Sequence, residues 1–556
     1  MKQVGIAMAV ALVAVASSAD VKYFCKAPGS PGIPENPDYL SWETAGTNIY
    51  DAVYIANGRF SDSTQRTLYV MSGTYSITNE IAINSSQFEM RSSKGPSAQE
   101  EIDPEGTILR GAYPFYTNRI VSIKSDSFSS RFCVFRGFTV TNGWVSGKGG
   151  GIYVKGARDG RTCVADCIVA GNFAYCGAGG GIAFEPDTAG SGFITNCFVF
   201  GNVTSNLFQK GQDNGTTSGA VSIGSTGSAG MSTVSRTTGF RVFDTVISNN
   251  YSCGNAIRSS GLWCKQNSVW IENCRIVNNR GVGMSGGNTA YSPAVYLSGG
   301  SFLIGCRVEG NSAANSNSAA GIHAMAACTI SNCVVYGNTG QSAVHGEAYH
   351  SNYGNIPVSV VNCTISDNGG QGTRLVRMGK GMVLRNSLLL NATGFVAVNQ
   401  IAALTLDSEN VVENCTLAGN SKAVYCTSTA EHALVNCAFY DNGRNIHQSG
   451  GGTLGISFTN CYFNVEESYV KERPCVDCVF NANPYFSDYS NGDLTLLRKS
   501  PLRDAGLSLG WMAGAVDLAG NPRLVDSTGR PSPSATPDIG CYECNMRAPG
   551  ISVSVW

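Results

Sequence analysis

Charge of either sign is scarce in this sequence. Thirty-eight basic residues stand against 39 acidic ones, the formal net charge is −1, and charged residues make up 14% of the chain, against roughly 25% in ordinary soluble domains. That near-balance excludes the basic footprint needed for nucleic acid or an anionic membrane surface, so no nucleic-acid partner is expected. Beyond the first fifteen residues no apolar run approaches the ~18 residues of a spanning helix, so no transmembrane span is expected. The repeats described below also lack amphipathic helical periodicity, which excludes the helical solenoids. What is abundant is glycine, at 67 residues, beside a hydrophobic content of 43%. That content supplies a large core and argues against wholesale disorder.

The start of the chain reads as a secretory signal peptide over 1–19. Lys2 is the charged beginning, Ile6 to Val15 the apolar run, and Ser17-Ser18-Ala19 the small residues before Asp20. The apolar run is too short for about 30 Å of hydrocarbon. The mature protein is therefore expected to be secreted or held at the cell surface.

The cysteines number 21, an odd count for an oxidising compartment. Nine of them occupy one repeated position where a small buried hydrophobe suffices, so they are expected to remain thiols. Cys475 and Cys478, then Cys541 and Cys544, form two CxxC pairs more than 60 residues apart with no glycine knuckle, which favours local disulfides or one clasp over zinc.

A short pattern organises the chain. It reads DCIVAGN from Asp166, NCFVFGN from Asn196, NCRIVNN from Asn273, GCRVEGN from Gly305, NCVVYGN from Asn332, NCTISDN from Asn362, NSLLLNA from Asn386, NCTLAGN from Asn414, NCAFYDN from Asn436 and NCYFN from Asn460, with a degenerate DTVISNN at Asp244. Successive copies lie 22 to 32 residues apart, except for 48 between Asn196 and Asp244. Within a copy the second and fourth positions are small or apolar while the third varies freely, a period of two that marks a short strand with one buried face. The Gly-Asn, Asn-Asn or Asp-Asn that follows suits a turn with positive φ, and Asp367 and Asp441 are read as turn residues there.

A second ladder lies between the copies. Its inward column is Ile152, Ile182, Val221, Val295, Ile322, Val344, Val376, Val424 and Ile446. Two strands per turn, with a short third, and about 25 residues per turn describe a coil that buries its apolar faces only by stacking. The fold class is therefore all-β, a single-stranded right-handed parallel β-helix (a solenoid). Residues 44–57, with Ile49, Ala52, Val53 and Ala56 on one face and Asn57-Gly58 as the stop, predict a helix that caps its open end. The organisation expected is a cap with first rungs over 20–111, repeats over 112–464 and a C-terminal capping region over 465–556.

These rungs, with NPYFSD at Asn483, GDLTLLRKSPLRDAG at Gly492, DLAGNPRL at Asp517 and PDIGCYE at Pro537, resemble exported bacterial right-handed β-helix proteins of the pectate-lyase-like superfamily, with a C-terminal block of the choice-of-anchor Q type. Members commonly read DIGAYE at the last motif, so Cys541 is a departure. The superfamily holds lyases, glycosidases and adhesins, so the resemblance implies a fold and leaves the function open. The GGGI and IVAGN elements also resemble repeats of outer-membrane adhesins. No Asp-Asp pair and no Gly-His-Gly are present, which leaves the two-carboxylate hydrolysis of polygalacturonases unsupported. The Arg-x-Pro-x-x-Arg of pectate lyases is also missing.

One constellation remains. The outward neighbours of the second ladder are Tyr153, Ala183, Ser222, Tyr296, His323, His345, Arg377, Tyr425 and His447, which include three of the five histidines. Arg377 pairs a uronate carboxylate in this reading, Lys380 helps to neutralise it, and His345 or Lys380 takes the proton, with His323 a further candidate beside them, while Tyr296, Tyr425 and His447 bind sugar rings. The run His345-Gly-Glu347-Ala-Tyr-His350 suggests zinc ligands, but it is not HExxH and has no helical context, so it is read as a loop-borne polar cluster and no metal ligand or cofactor is assigned. No residue pattern names a calcium site. Two functions follow. One is a monomeric protein that binds or processes extracellular polysaccharide, as a lyase of acidic glycans if it is an enzyme. The other is a non-enzymatic surface or adhesin-like protein.

Overall fold

The computed structural model describes residues 20–544 except for 59–63, 85–86, 125–131, 156–160, 186–191, 207–216, 225–238, 255–256, 266–268, 284–292, 315–318, 348, 351–353, 371–373, 393–400, 449–454, 467–469, 471 and 526–529. The expected signal peptide, 1–19, lies outside them.

The chain is a right-handed parallel β-helix. Among the described residues, most turns contribute one strand to each of three long parallel sheets, of 16, 15 and 13 strands, and six turns add a strand to a short fourth sheet. One turn shows the order: Arg161–Ala165 in the first sheet, Ile168–Ala170 in the second, Phe173–Tyr175 in the fourth and Ile182–Glu185 in the third. The first sheet is the longest of all, where only a short third strand was expected from the repeats. Its strands, such as Val269–Glu272, carry no shared motif to betray them.

The recurring heptad turns out to be a strand held between two corners. Its first residue takes positive φ, as at Asn196 (49°) and Asn332 (54°), and so does its sixth, as at Gly201 (61°) and Asn278 (55°). Asp367 and Asp441 occupy the sixth position with φ of 53° and 52°, as the turn reading required. The second-position cysteine follows the first corner, points inward and donates its S–H to the carbonyl two residues before it, Cys167 to Ala165 at 3.0 Å and Cys333 to Ser331 at 3.2 Å. The seventh-position asparagine is not a solvent-facing turn residue. Asn172, Asn202, Asn250, Asn279, Asn311, Asn338 and Asn368 are buried and stack rung on rung, each Nδ2 from Asn172 to Asn338 donating to the next Oδ1 at 2.8 to 3.1 Å.

The helix forms over Ile49–Asn57, capped by Asn48, and buries Ile49, Ala52, Val53 and Ala56 against the first turns. At the other end the ladder outlasts Phe463. Cys475–Val476 and Val479–Phe480 add one more turn, and Cys478, after Asp477 with φ of 51°, takes the repeated cysteine position. All 21 cysteines are free thiols in the structure. The expected disulfides of the CxxC pairs are absent because Cys478 belongs to the ladder and Cys541 and Cys544 pack in different apolar clusters. The block after residue 480 lies along the flank of the coil. The first-corner asparagines hold it there: Asn386, Asn414, Asn436 and Asn460 donate Nδ2 to the carbonyls of Val516, Asp538, Leu507 and Ala505 at 2.7 to 3.3 Å. Its motif residues Arg523 and Glu543 form a fully buried ion pair at 3.2 Å.

Candidate functional site

The outer face of the third sheet carries the expected column, with two additions. Strand pairing sets Trp263, Tyr296, His323, His345, Arg377, Thr405, Tyr425 and His447 in one register on successive turns. The rungs of Leu262 and Leu404 lack the Val or Ile of the other copies, which hid Trp263 and Thr405 from the repeat. Arg377 and Tyr425 are thus two turns apart, with Thr405 between them.

Neighbouring rings in the column order one another. His323 lies flat on Tyr296, with centroids 5.3 Å apart and planes 2° from parallel. His345 meets His323 edge-on at 4.9 Å and 81°. Tyr296 donates its hydroxyl to Met325 Sδ at 2.6 Å. Tyr425 stacks on His447 at 5.4 Å, and His447 Nδ1 lies 3.2 Å from Arg444.

Burial divides the candidates. His323 is 0% exposed, His345 5%, Tyr296 7% and Tyr425 8%. These rungs are therefore closed surface in this conformation and not open stacking platforms. Arg377, by contrast, keeps 36% of its side chain exposed and pairs with Asp407 at 3.7 Å. Lys380 is more exposed still and turns to Glu409 at 3.3 Å. Burial, with the charges of Arg258 and Arg377, pushes the His323 imidazole down to about 3. His345 is held well below the usual histidine range by burial first, then by His323 and the two arginines 377 and 374. Both rings are neutral at pH 7.

Glu347, which the sequence reading left in a loop-borne polar cluster, sits on a strand beside the two histidines. It lies two positions after His345 on one strand, Ser342–Glu347, so the alternation of a strand puts both side chains on the same face. His323 Nε2 and His345 Nε2 each lie 3.7 Å from Glu347 Oε1. One donor atom from each of the three falls within 4.8 Å of the others. Burial raises the Glu347 carboxyl above its ordinary range, opposed by Arg377. The expectation of a polar cluster without metal ligands thus meets a grouping of two imidazoles and a carboxylate, assembled from adjacent turns. The side chain of His350 lies outside the described residues.

A recess of about 430 Å³ opens elsewhere, between the second and fourth sheets, lined by Tyr113, Asn142, Trp144, Phe173 and Val203. It contains no titratable group able to act as acid or base near neutrality, so the column remains the better candidate for chemistry.

No curated protein matches the chain. A family model described as "Right handed beta helix region" matches residues 292–463, the stretch that contains most of the column. Among solved structures, the pectate lyase Pel9A is similar at 10% identity and a TM-score of 0.32, over 95% of this chain and 97% of that one. The A-module of the Azotobacter vinelandii mannuronan C-5 epimerase AlgE6 is similar at 13% identity and 0.30, over 74% and 94%. The Dettilon tailspike protein is similar at 13% identity and 0.29, over 68% of this chain and 65% of the tailspike. The stacked parallel sheets give this chain a right-handed parallel β-helix fold, and the family model agrees with it over residues 292–463.

Proposed function

We propose that this is a secreted or cell-surface β-helix that binds or processes an acidic polysaccharide along the outward column of its third sheet. The observation that carries the reading is the pairing of His345 with Arg377, in register on adjacent turns of one face. Adjacent strands stand about 4.8 Å apart, so both side chains can serve one sugar unit. Arg377 holds the uronate carboxylate and acidifies the neighbouring C–H. The neutral His345 takes the proton, with Lys380 as the alternative base, and the leaving oxygen departs as the ring double bond forms. His323 positions the ring of His345, while Tyr296, Tyr425 and His447 flank the site. The resemblance of the rungs and tail to exported β-helix proteins supports the compartment, and the uronate-pairing Arg377 supports the substrate class.

A non-enzymatic surface role is favoured by one observation, the 5% exposure of His345. Incubating the purified protein with a panel of uronate polysaccharides, while following absorbance of the unsaturated product, separates the two. A rising trace, lost in Arg377→Ala together with binding and lost in His345→Ala with binding retained, establishes the lyase. A flat trace with retained glycan binding leaves a binding protein. A flat trace with no binding on the whole panel removes the polysaccharide reading.

A further inference from the structure

The grouping of His323, His345 and Glu347 has a chemistry of its own, independent of any glycan. Two turns of the coil and one strand alternation bring it together: His323 and His345 are Cα partners across the sheet, and Glu347 follows His345 by two residues. The edge-on packing of the rings at 81° lets both Nε2 atoms approach one point without the rings colliding. That point lies beside Glu347 Oε1, at 3.7 Å from each nitrogen. Donors bound at about 2.1 Å to a tetrahedral ion stand about 3.4 Å apart. The two nitrogen-to-carboxylate spacings therefore need to shrink by only a few tenths of an ångström, and all three donors already lie within 4.8 Å of one another.

His345 is 5% exposed, yet its Nδ1 has no hydrogen-bond partner among the described residues. Leaving a buried polar atom without a partner carries a free-energy cost. Nε2 is the nitrogen of His345 that faces Glu347, so it is the donor available to an ion. Glu347 keeps 32% of its side chain exposed, which leaves one side open to water or a ligand. The charge of Arg377 nearby is offset by Asp407 at 3.7 Å.

We propose that His323, His345 and Glu347 form a three-donor site for one divalent first-row transition ion, with zinc the best-fitting case and a fourth position open to solvent. Two imidazoles and one carboxylate suit zinc, cobalt or manganese, whereas calcium takes six to eight oxygen donors and finds one side chain here. An ion at this place stands one turn from Arg377. It would add a second positive centre to the column, of the kind that polarises a bound oxygen.

The test uses the full-length protein after treatment with a chelator, and needs no polysaccharide. Zn²⁺ is titrated in competition with a chromophoric chelator, and Co²⁺ is added separately to read the ligand type from its absorption. The expected result is one equivalent bound per chain, with no sulfur-to-cobalt charge-transfer band. Glu347→Gln and His345→Ala should each weaken Zn²⁺ at least tenfold, while Glu309→Gln on the second sheet leaves it unchanged. Glu347 is partly exposed, so its amide keeps the fold, and it alone decides the matter if His345→Ala does not fold. Absence of bound ion in the parent protein, an affinity untouched by Glu347→Gln, or a thiolate band that assigns the ion to cysteine would each overturn the proposal.

Discussion

Asn279 gives both its backbone N–H and its Nδ2 to a single atom, Asn311 Oδ1, at 2.8 and 3.0 Å. Asn311 repeats the arrangement on Asn338, at 3.0 and 2.9 Å, and also donates to the carbonyl of Ile276. The column satisfies a buried corner of every turn with one side chain, because asparagine alone offers an acceptor and two donors on so short a stem.

Removing one member should therefore strand its neighbours. In Asn311→Ala the N–H and Nδ2 of Asn279 lose their acceptor in a place closed to water, at a cost of about 2–4 kcal/mol, since each buried unsatisfied group costs about 1–3 kcal/mol. Asn442, half-buried at the last rung of the column, serves Asn420 in the same way. Asn442→Ala should cost only about 1 kcal/mol, because water can take its place. Native-state hydrogen exchange of the amides at 279 and 420 reads the two losses locally. Equal losses would mean that the interior column does not stabilise the corners.

The cysteine ladder should count as thiols. Cys167, Cys197, Cys274, Cys306, Cys333, Cys363, Cys415, Cys437 and Cys461 are buried, and burial holds Cys197, Cys415 and Cys461 well above the ordinary thiol range. Such groups present little thiolate and react slowly. Titration with a thiol reagent should report few reactive groups in the native protein and nearly all of them in denaturant without reductant. A low count in denaturant would show that the ladder is oxidised.

The strand faces predict opposite tolerances. Val344 is 0% exposed in the inward column of the third sheet, and Val344→Asp places an uncompensated carboxylate there at several kcal/mol. Thr364 points outward in the second sheet, half-buried, and Thr364→Asp should cost no more than about 1 kcal/mol. Yield of folded protein and the midpoint of urea unfolding compare them, and similar damage from both would contradict the assignment of the faces.

Acid should loosen the first sheet through His432. Its Nδ1 accepts the N–H of Asn410 at 3.3 Å, which only the neutral ring can do. Burial lowers its pKa below 6.5, with Asp407 pulling the other way. The unfolded chain therefore binds the proton more readily than the folded one. The favourable neutral state is fully present above about pH 6.5 and is lost as the pH falls through the depressed folded value. His432→Gln should flatten the fall in thermal stability below pH 6.5. An unchanged pH profile would place the acid sensitivity elsewhere.

Much of this protein was legible in one dimension because the signals are local. Alternation of period two is a property of one strand, so the inward column from Ile152 to Ile446 and the outward column from Tyr296 to His447 could be counted from the residues. Asparagine, aspartate and glycine are the residues that tolerate positive φ, so the corners at Asp367 and Asp441 could be placed as well. The helix at Ile49–Asn57 announced its buried face and its stop.

The tertiary structure decided what depends on neighbours in the stack. Whether Asn311 faces water or the Asn279 below it is set by the adjoining turn, and a Gly-Asn pair reads the same in both cases. The rungs of Trp263 and Thr405 had to be threaded to be seen, since loops of unequal length separate them from their partners. Arg377 was placed beside His345, yet only packing could leave one a third exposed and the other closed. Glu347 joined the two histidines for the same reason: His323 lies 24 residues away in the chain and one strand spacing away in the coil.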